Sequence, residues 1–349
     1  MKIKSFNYFL ITLLTLVIFH TASAAEKLTF SLTPKRLISL EIIQASNPSF
    51  PTFLFLPGVN RGLISDEPSL EILAKQGFGI VTMHFSTQPF SVSELSSDVS
   101  PEFLSKSYSL AELGNEVTAL TNELKNKYDI KTLIPVSISF SAAVSSTIQG
   151  LPLYIDVAPM TASAAVNPQL EAYRSSLKAA EIFNPIYGPG ITRSLLDQTY
   201  YRTWSAQVDS MVNQFNLNAD RKPDMIKGYT VQSRAAEGFV WDLKLTAPTS
   251  KRIFILGKKD SSILLKNQLE LVSKAMDAKA DVLVFLVTDA GHLIPGDQPQ
   301  LYANILNFVS TNDVSNTTGI FEVNSTDPTP KFYTGPEAKT YIQSVLKTL

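Results

Sequence analysis

The feature that most constrains this chain is a set of short segments that are apolar on both phases of a strand. Phe50–Pro57 (FPTFLFLP), Phe78–Phe85, Thr132–Ser139, Leu151–Val157, Arg252–Leu256 and Val282–Val287 each run for five to eight residues with few polar interruptions. A strand with one wet face alternates polar and apolar residues. One that is apolar throughout must be covered on both faces, which is the situation of a parallel sheet packed between helices. Helical patterns separate these runs. Ser69–Gln76 turns Leu70, Leu73 and Ala74 inward and meets Gly77 as a natural C-cap. Leu110, Leu113, Val117, Leu120 and Leu124 step by three and four. Phe140–Gln149 closes at Gly150, and Leu264–Met276 and Pro299–Val309 follow later. This alternation predicts an α/β fold with a mostly parallel, doubly wound sheet. Lys27–Ala45 adds two extended runs around Pro34-Lys35-Arg36, the pattern of an antiparallel hairpin.

Other segments break the alternation. Met1–Ala24 begins with Lys2 and Lys4, continues through an apolar run from Tyr8 to Phe19 and ends in Ala22-Ser23-Ala24. That is the layout of a cleaved secretory signal, and the run is too short to span a bilayer. The expected destination is therefore export, to the periplasm or the cell exterior, with no stable membrane span after cleavage. Thr161–Leu245 lacks a clear buried strand but holds Trp204, Trp241, Tyr173, Phe183, Tyr187, Tyr200 and Tyr201; it reads as a helical insertion over the sheet. Residues 311–349 are rich in Thr, Pro and Asn, with a strand at Ile320–Asn324 and a helix from Pro336. The expected organisation is thus a signal peptide (1–24), a core (25–160 and 246–310), a cap (161–245) and a C-terminal extension (311–349).

Composition narrows the chemistry. The 349 residues carry 30 basic and 31 acidic side chains, a net charge of -1 that gives no reason to expect nucleic acid as a partner. With no Cys, disulfides, thiolate metal sites and a Cys nucleophile are excluded. Removal of the signal takes His20 and leaves His84 and His292. Any histidine base is one of these two.

The strand ending near Val136 passes through Ser137-Ile138-Ser139-Phe140-Ser141 into a helix. A nucleophile raised on a sharp strand-to-helix turn needs small residues two before and two after it, usually Gly; here Ser fills both places. Ser139-x-Ser141-x-Ala143 fits the same template, but Ser141 would lie inside the helix, so Ser139 is preferred. The turn also puts the Phe140 N–H at a helix start, where it can meet an oxyanion. His292, in the Ala290-Gly291-His292 run after the strand at Val282–Val287, and Asp260, after the strand at Arg252–Leu256, both fall at strand C-termini. That is the end of an open parallel sheet where ligands gather. A carboxylate at Asp260 can accept an imidazole N–H and fix its tautomer. Each residue alone suits a cap or turn equally well. The order Ser139, Asp260, His292 suits a hydrolase triad. Leu56-Pro57-Gly58-Val59-Asn60 follows the first buried strand, where Gly58 would permit a sharp turn and the N–H of Val59 or Asn60 would supply the second oxyanion donor.

With these residues in place the chain resembles the serine hydrolases of the α/β-hydrolase fold over about Thr29 to Ser310. Gly291-His-Leu-Ile-Pro-Gly-Asp-Gln-Pro299 is similar to the histidine-bearing ending of many members, and Leu256-Gly-x-x-Asp260 to their acid-bearing turn. The resemblance implies Ser139 as nucleophile, His292 as base, Asp260 as orienting acid and the 161–245 insertion as a cap. Two departures stand out: Ser in both small-residue positions around Ser139, and Pro57-Gly58 where many relatives have His-Gly.

The expected reaction is acyl transfer to water without metal or organic cofactor, on a small-molecule or lipid-like carboxylic ester that suits an aromatic, weakly charged cap. Two alternatives stay open. One is a peptidase of aminopeptidase type, in which Glu171, Glu181 or Glu237 holds a substrate amine. The other is a non-catalytic binding protein on the same fold. His84 either lines the pocket or is buried and hydrogen-bonded.

Overall fold

A computed structural model describes residues 25–33, 36–59, 68–88, 108–128, 130–163, 231–232, 234–241, 250–327 and 329–349. The signal segment, Asn60, Glu171, Glu181 and most of the expected cap lie outside these residues. The strands are β1 Glu26–Thr33, β2 Arg36–Ile43, β3 Thr52–Leu56, β4 Gly79–Met83, β5 Leu133–Ile138, β6 Leu153–Val157, β7 Lys251–Gly257, β8 Val282–Val287, β9 Gly319–Val323 and β10 Lys331–Thr334. The helices among the described residues are α1 Pro68–Lys75, α2 Leu110–Tyr128, α3 Phe140–Ser145, α4 Leu265–Asp277, α5 Ile294–Asp297, α6 Pro299–Thr311 and α7 Gly335–Leu346.

All ten strands join one sheet in the order β1-β2-β4-β3-β5-β6-β7-β8-β9-β10. From β4 across to β9 every pairing is parallel. The β1–β2 hairpin and the β10 edge are antiparallel, as is the β2–β4 pairing. The apolar runs are legible in the packing. Phe53, Phe55, Ile253, Ile255, Leu283 and Phe285 face one side with Leu70, Leu73, Tyr302 and Leu306 of α1 and α6. Their chain neighbours Leu54 and Leu56 meet Leu113, Val117 and Leu120 of α2 on the opposite side. Phe254, Leu256, Val284 and Leu286 do the same with Leu269 and Val272 of α4. Period-two alternation with helices on both faces leaves no wet phase, so the strands carry no polar phase either.

The topology also sets where a site can form. The chain leaves β3 for α1 on one face and leaves β5 for α3 on the other, although β3 and β5 are direct neighbours. Connections that diverge to opposite faces open a crevice at the strand C-termini, the switch point of such sheets.

Some expectations shift in detail. The helix after Ser139 is shorter than Phe140–Gln149, because Thr147 and Ile148 donate to carbonyls three residues back (Val144 and Ser145) before Gly150 turns at φ +84°. The tail builds onto the sheet: Ile320 pairs with Val284, and Ala338, Ile342 and Val345 of α7 join the apolar cluster of α4. Strand β10 escaped the sequence reading because Lys331–Thr334 is an exposed-to-half-buried edge without an apolar run. Residues on either side of the intervening segment come together: Ala162 bridges Val240, and the Trp241 N–H donates to the Thr161 carbonyl at 2.9 Å. No helix among the described residues is long and apolar enough to cross a membrane.

Candidate active site

Ser139 closes β5 at φ +58°, ψ −114°, in the left-handed half of the map that a residue with a Cβ rarely occupies. Holding it there costs on the order of 1–3 kcal/mol, and such strain persists only where surrounding bonds dictate it. Those bonds are present. The Ser139 N–H donates to the Val157 carbonyl at 2.9 Å, and its carbonyl accepts from Met160 N–H at 3.1 Å and Ala142 N–H at 3.0 Å.

The two serines in place of glycine each use their hydroxyl. Ser141 Oγ accepts the Ile138 N–H at 2.7 Å and lies 2.8 Å from the Leu56 carbonyl, its acceptor, which stitches the turn to the end of β3. Ser137 Oγ donates to Asp156 Oδ1 at 2.5 Å. Asp156 is fully buried on β6, accepts Ser145 Oγ at 2.6 Å and pairs with Arg252 at 2.7 Å. Arg252 is in turn sandwiched against the rings of Tyr154 and Trp241. Ser141 is therefore a buried structural hydroxyl, and of Ser139 and Ser141 only Ser139 sits on the strained turn.

Asp260 and His292 meet. His292 Nδ1 lies 2.9 Å from Asp260 Oδ2, with both residues buried apart from a sliver. The carboxylate is saturated: Oδ1 accepts the N–H groups of Ser262 and Ile263, each at 2.9 Å, and Oδ2 also accepts Gln268 Nε2 at 2.9 Å. An acceptor ringed by four donors has one orientation available, and the imidazole inherits it. Gln268 was missed in the sequence, though it left a signal: it occupies a core position of α4 between Leu265, Leu269 and Val272, where an apolar residue belongs.

The strand ends are laced across the sheet. Ala158 N–H donates to Ile255 O and Lys258 N–H to Val287 O, continuing the Ser139–Val157 bond and fixing the stagger from β5 to β8. The loop bearing His292 packs on Gly257 so tightly that a Cβ there would sit 2.0 Å from the Gly291 carbonyl. Asp297 Oδ2 accepts the Gly291 N–H at 2.7 Å from the other side.

Gly58 lies against the turn, its missing Cβ 3.7 Å from Ser139 Cβ. Its φ is not in the left-handed region, and an added Cβ would meet only ordinary contacts, so the sharp turn expected of Gly58 is not what this position requires. Among the described residues no acceptor takes the N–H of Phe140 or of Val59. His84 is buried, and burial pushes its imidazole down to about 3, so it is neutral. Glu237 is exposed. Among the described residues no cluster of His, Asp and Glu has the makings of a metal site.

This architecture is the α/β-hydrolase fold. It is shared with an α/β-hydrolase enzyme from a Medee basin deep-sea metagenome library (TM-score 0.59, 13% identity, 83% of this chain and 100% of that one). A thioesterase domain from the curacin biosynthetic pathway matches with TM-score 0.56 and 16% identity over 81% and 99%. A thermophilic esterase from Thermogutta terrifontis matches with TM-score 0.54 and 15% identity over 81% and 96%. No protein-family model matches the sequence, and no curated protein does either.

Proposed function

We propose that this chain is an exported serine hydrolase that cleaves small-molecule or lipid-like carboxylic esters. The observation that carries the reading is the His292–Asp260 pair, 2.9 Å apart after the C-termini of β8 and β7, with Ser139 on a strained turn at the C-terminus of β5. Asp260 on Nδ1 leaves Nε2 as the basic edge of the imidazole, the tautomer a general base needs. His292 takes the Ser139 proton as Oγ attacks the ester carbonyl. The N–H groups of Phe140 and of Val59 or Asn60 receive the oxyanion, and the alcohol leaves with the proton from His292. Water, deprotonated by His292, then releases the acid and restores Ser139. The chemistry uses side chains and backbone alone. The likeness in fold to an esterase and a thioesterase domain supports acyl transfer as the reaction class.

The test is to treat the mature protein with a fluorophosphonate and map the modified peptide, with Ser139→Ala alongside, then to compare aryl and fatty-acyl esters with amino-acid arylamides. Labelling at Ser139 with ester turnover is the expected result. A folded protein that takes no label overturns the hydrolase reading in favour of a binding protein, and faster turnover of arylamides overturns the ester assignment in favour of a peptidase.

A further inference from the structure

The loop after β3 must present an N–H to the oxyanion, yet a glycine-containing loop has no reason of its own to hold one peptide orientation. The segment after β4 supplies that reason. Gln88 is buried, and its Nε2 donates to the Gly58 carbonyl at 2.9 Å. Its Oε1 accepts the Phe85 N–H at 2.9 Å, and its own N–H donates to the Phe85 carbonyl at 2.9 Å. These partners settle the amide's orientation: Phe85 N–H can only donate and Gly58 C=O can only accept, so Gln88 cannot flip without losing both bonds. The segment is anchored in turn. Ser86 N–H donates to Glu116 Oε2 at 3.1 Å, and Glu116 is paired with Arg36 at 2.7 Å. The neighbouring bond from Gln232 Nε2 to Thr87 Oγ1, at 3.2 Å, involves none of the groups that Gln88 holds.

Among the described residues no peptide is cis. In a trans peptide the C=O of one residue and the N–H of the next point in opposite directions. Fixing the Gly58 carbonyl toward Gln88 therefore fixes the Val59 N–H away from it, on a loop whose Gly58 lies against Ser139.

We infer that Gln88 is a positioning residue for the oxyanion hole, acting through the Gly58–Val59 peptide. Nothing else among the described residues bonds the Gly58 carbonyl, so loss of the Gln88 donor frees the peptide to rotate and remove the Val59 N–H from the developing charge. The inference rests on the hydrolase reading above, and it selects Val59 over Asn60 as the second donor.

The decisive variant is Gln88→Met, which keeps length and volume but cannot donate. A donor that matters only in the transition state shows in kcat, so kcat falls on the order of 10- to 100-fold while KM moves by less than about threefold. The affinity of an alkyl boronic acid, whose tetrahedral adduct places an oxygen in the hole, falls by the same factor as kcat/KM. Thr87→Val, which strips the Gln232 bond from the adjoining residue, controls for general loosening and keeps the wild-type ratio of boronate affinity to KM. If Gln88→Met does not fold, Gln88→Glu replaces it; its carboxylate still accepts the Phe85 N–H but repels the Gly58 carbonyl, and the same selective loss is required. A folded Gln88 variant with undiminished kcat overturns the inference, as does an equal loss in Thr87→Val. In either case, fluorophosphonate labelling of wild-type Ser139 leaves the hydrolase reading standing. Absence of labelling in wild type overturns both.

Discussion

Gly257→Ala adds one methyl group, at a position where β7 ends three residues before Asp260. The built Cβ lies 2.0 Å from the Gly291 carbonyl oxygen and 2.8 Å from that of Ala290. Real Cβ atoms do not approach within 3.0 Å, so the backbone must open by about 1 Å at the oxygen nearest the methyl. Neither side yields freely. β7 is paired on both edges, Lys259 N–H holds Ala290 O at 3.0 Å, and Asp297 holds the Gly291 N–H. Gly257 has no left-handed φ, so alanine brings no conformational penalty and the whole effect is steric. The movement is delivered one residue before His292. A misplacement of about 1 Å in a catalytic group costs on the order of 100-fold in rate, and overpacking costs about 1–3 kcal/mol of stability. Ester hydrolysis kinetics and urea unfolding on the same preparation measure both. Esterase activity in Gly257→Ala within about threefold of wild type, with the fold intact, would refute the claim that this contact sets the histidine's place.

The other expectations concern the framework beneath the site. Ser141→Ala removes a buried hydroxyl that accepts the Ile138 N–H; urea unfolding should show a loss of about 1–3 kcal/mol, and an unchanged midpoint would mean the stitch to β3 is idle. Arg252→Met strands the buried Asp156 carboxylate and should cost about 3–5 kcal/mol. Adding Asp156→Asn, which still accepts from Ser137 and Ser145, should return much of that loss, whereas strictly additive losses would contradict a charge effect. His84 has a folded-state pKa of about 3 against 6.5 unfolded, so as pH falls through 6.5 the unfolded chain takes up a proton that the folded chain refuses. Stability attributable to His84 is therefore complete above pH 6.5 and declines toward pH 3 by about 1.4 kcal/mol per pH unit. The melting-temperature difference between wild type and His84→Phe should move against wild type as pH falls through that window; parallel pH curves would show that His84 is not held neutral by burial.

Much of this protein was legible before any coordinates. Runs apolar on both phases can be satisfied only between two helical layers, so Phe50–Pro57 and Val282–Val287 announced a parallel sheet by hydrophobicity alone. The same pattern puts Ser139, Asp260 and His292 just after strand C-termini, which in such a sheet share one edge, and the fold has them there, with His292 bonded to Asp260. What the sequence withheld are relations between residues far apart in the chain. Gln88 sits thirty residues from Gly58, and nothing local marks it, since its role exists only once β3 and β4 are side by side. Gly58 seemed to be needed for a turn and Gly257 passed without remark. The fold reverses their weight, because a Cβ at Gly58 would meet only ordinary contacts, whereas at Gly257 another backbone lies within the space of a methyl. The serines flanking Ser139 read as imperfect glycines until Asp156 and Leu56 supplied partners from neighbouring strands. Hydrophobic pattern is a property of each segment and survives in one dimension; hydrogen-bond complementarity and steric clearance belong to pairs of segments, and folding alone brings those pairs together.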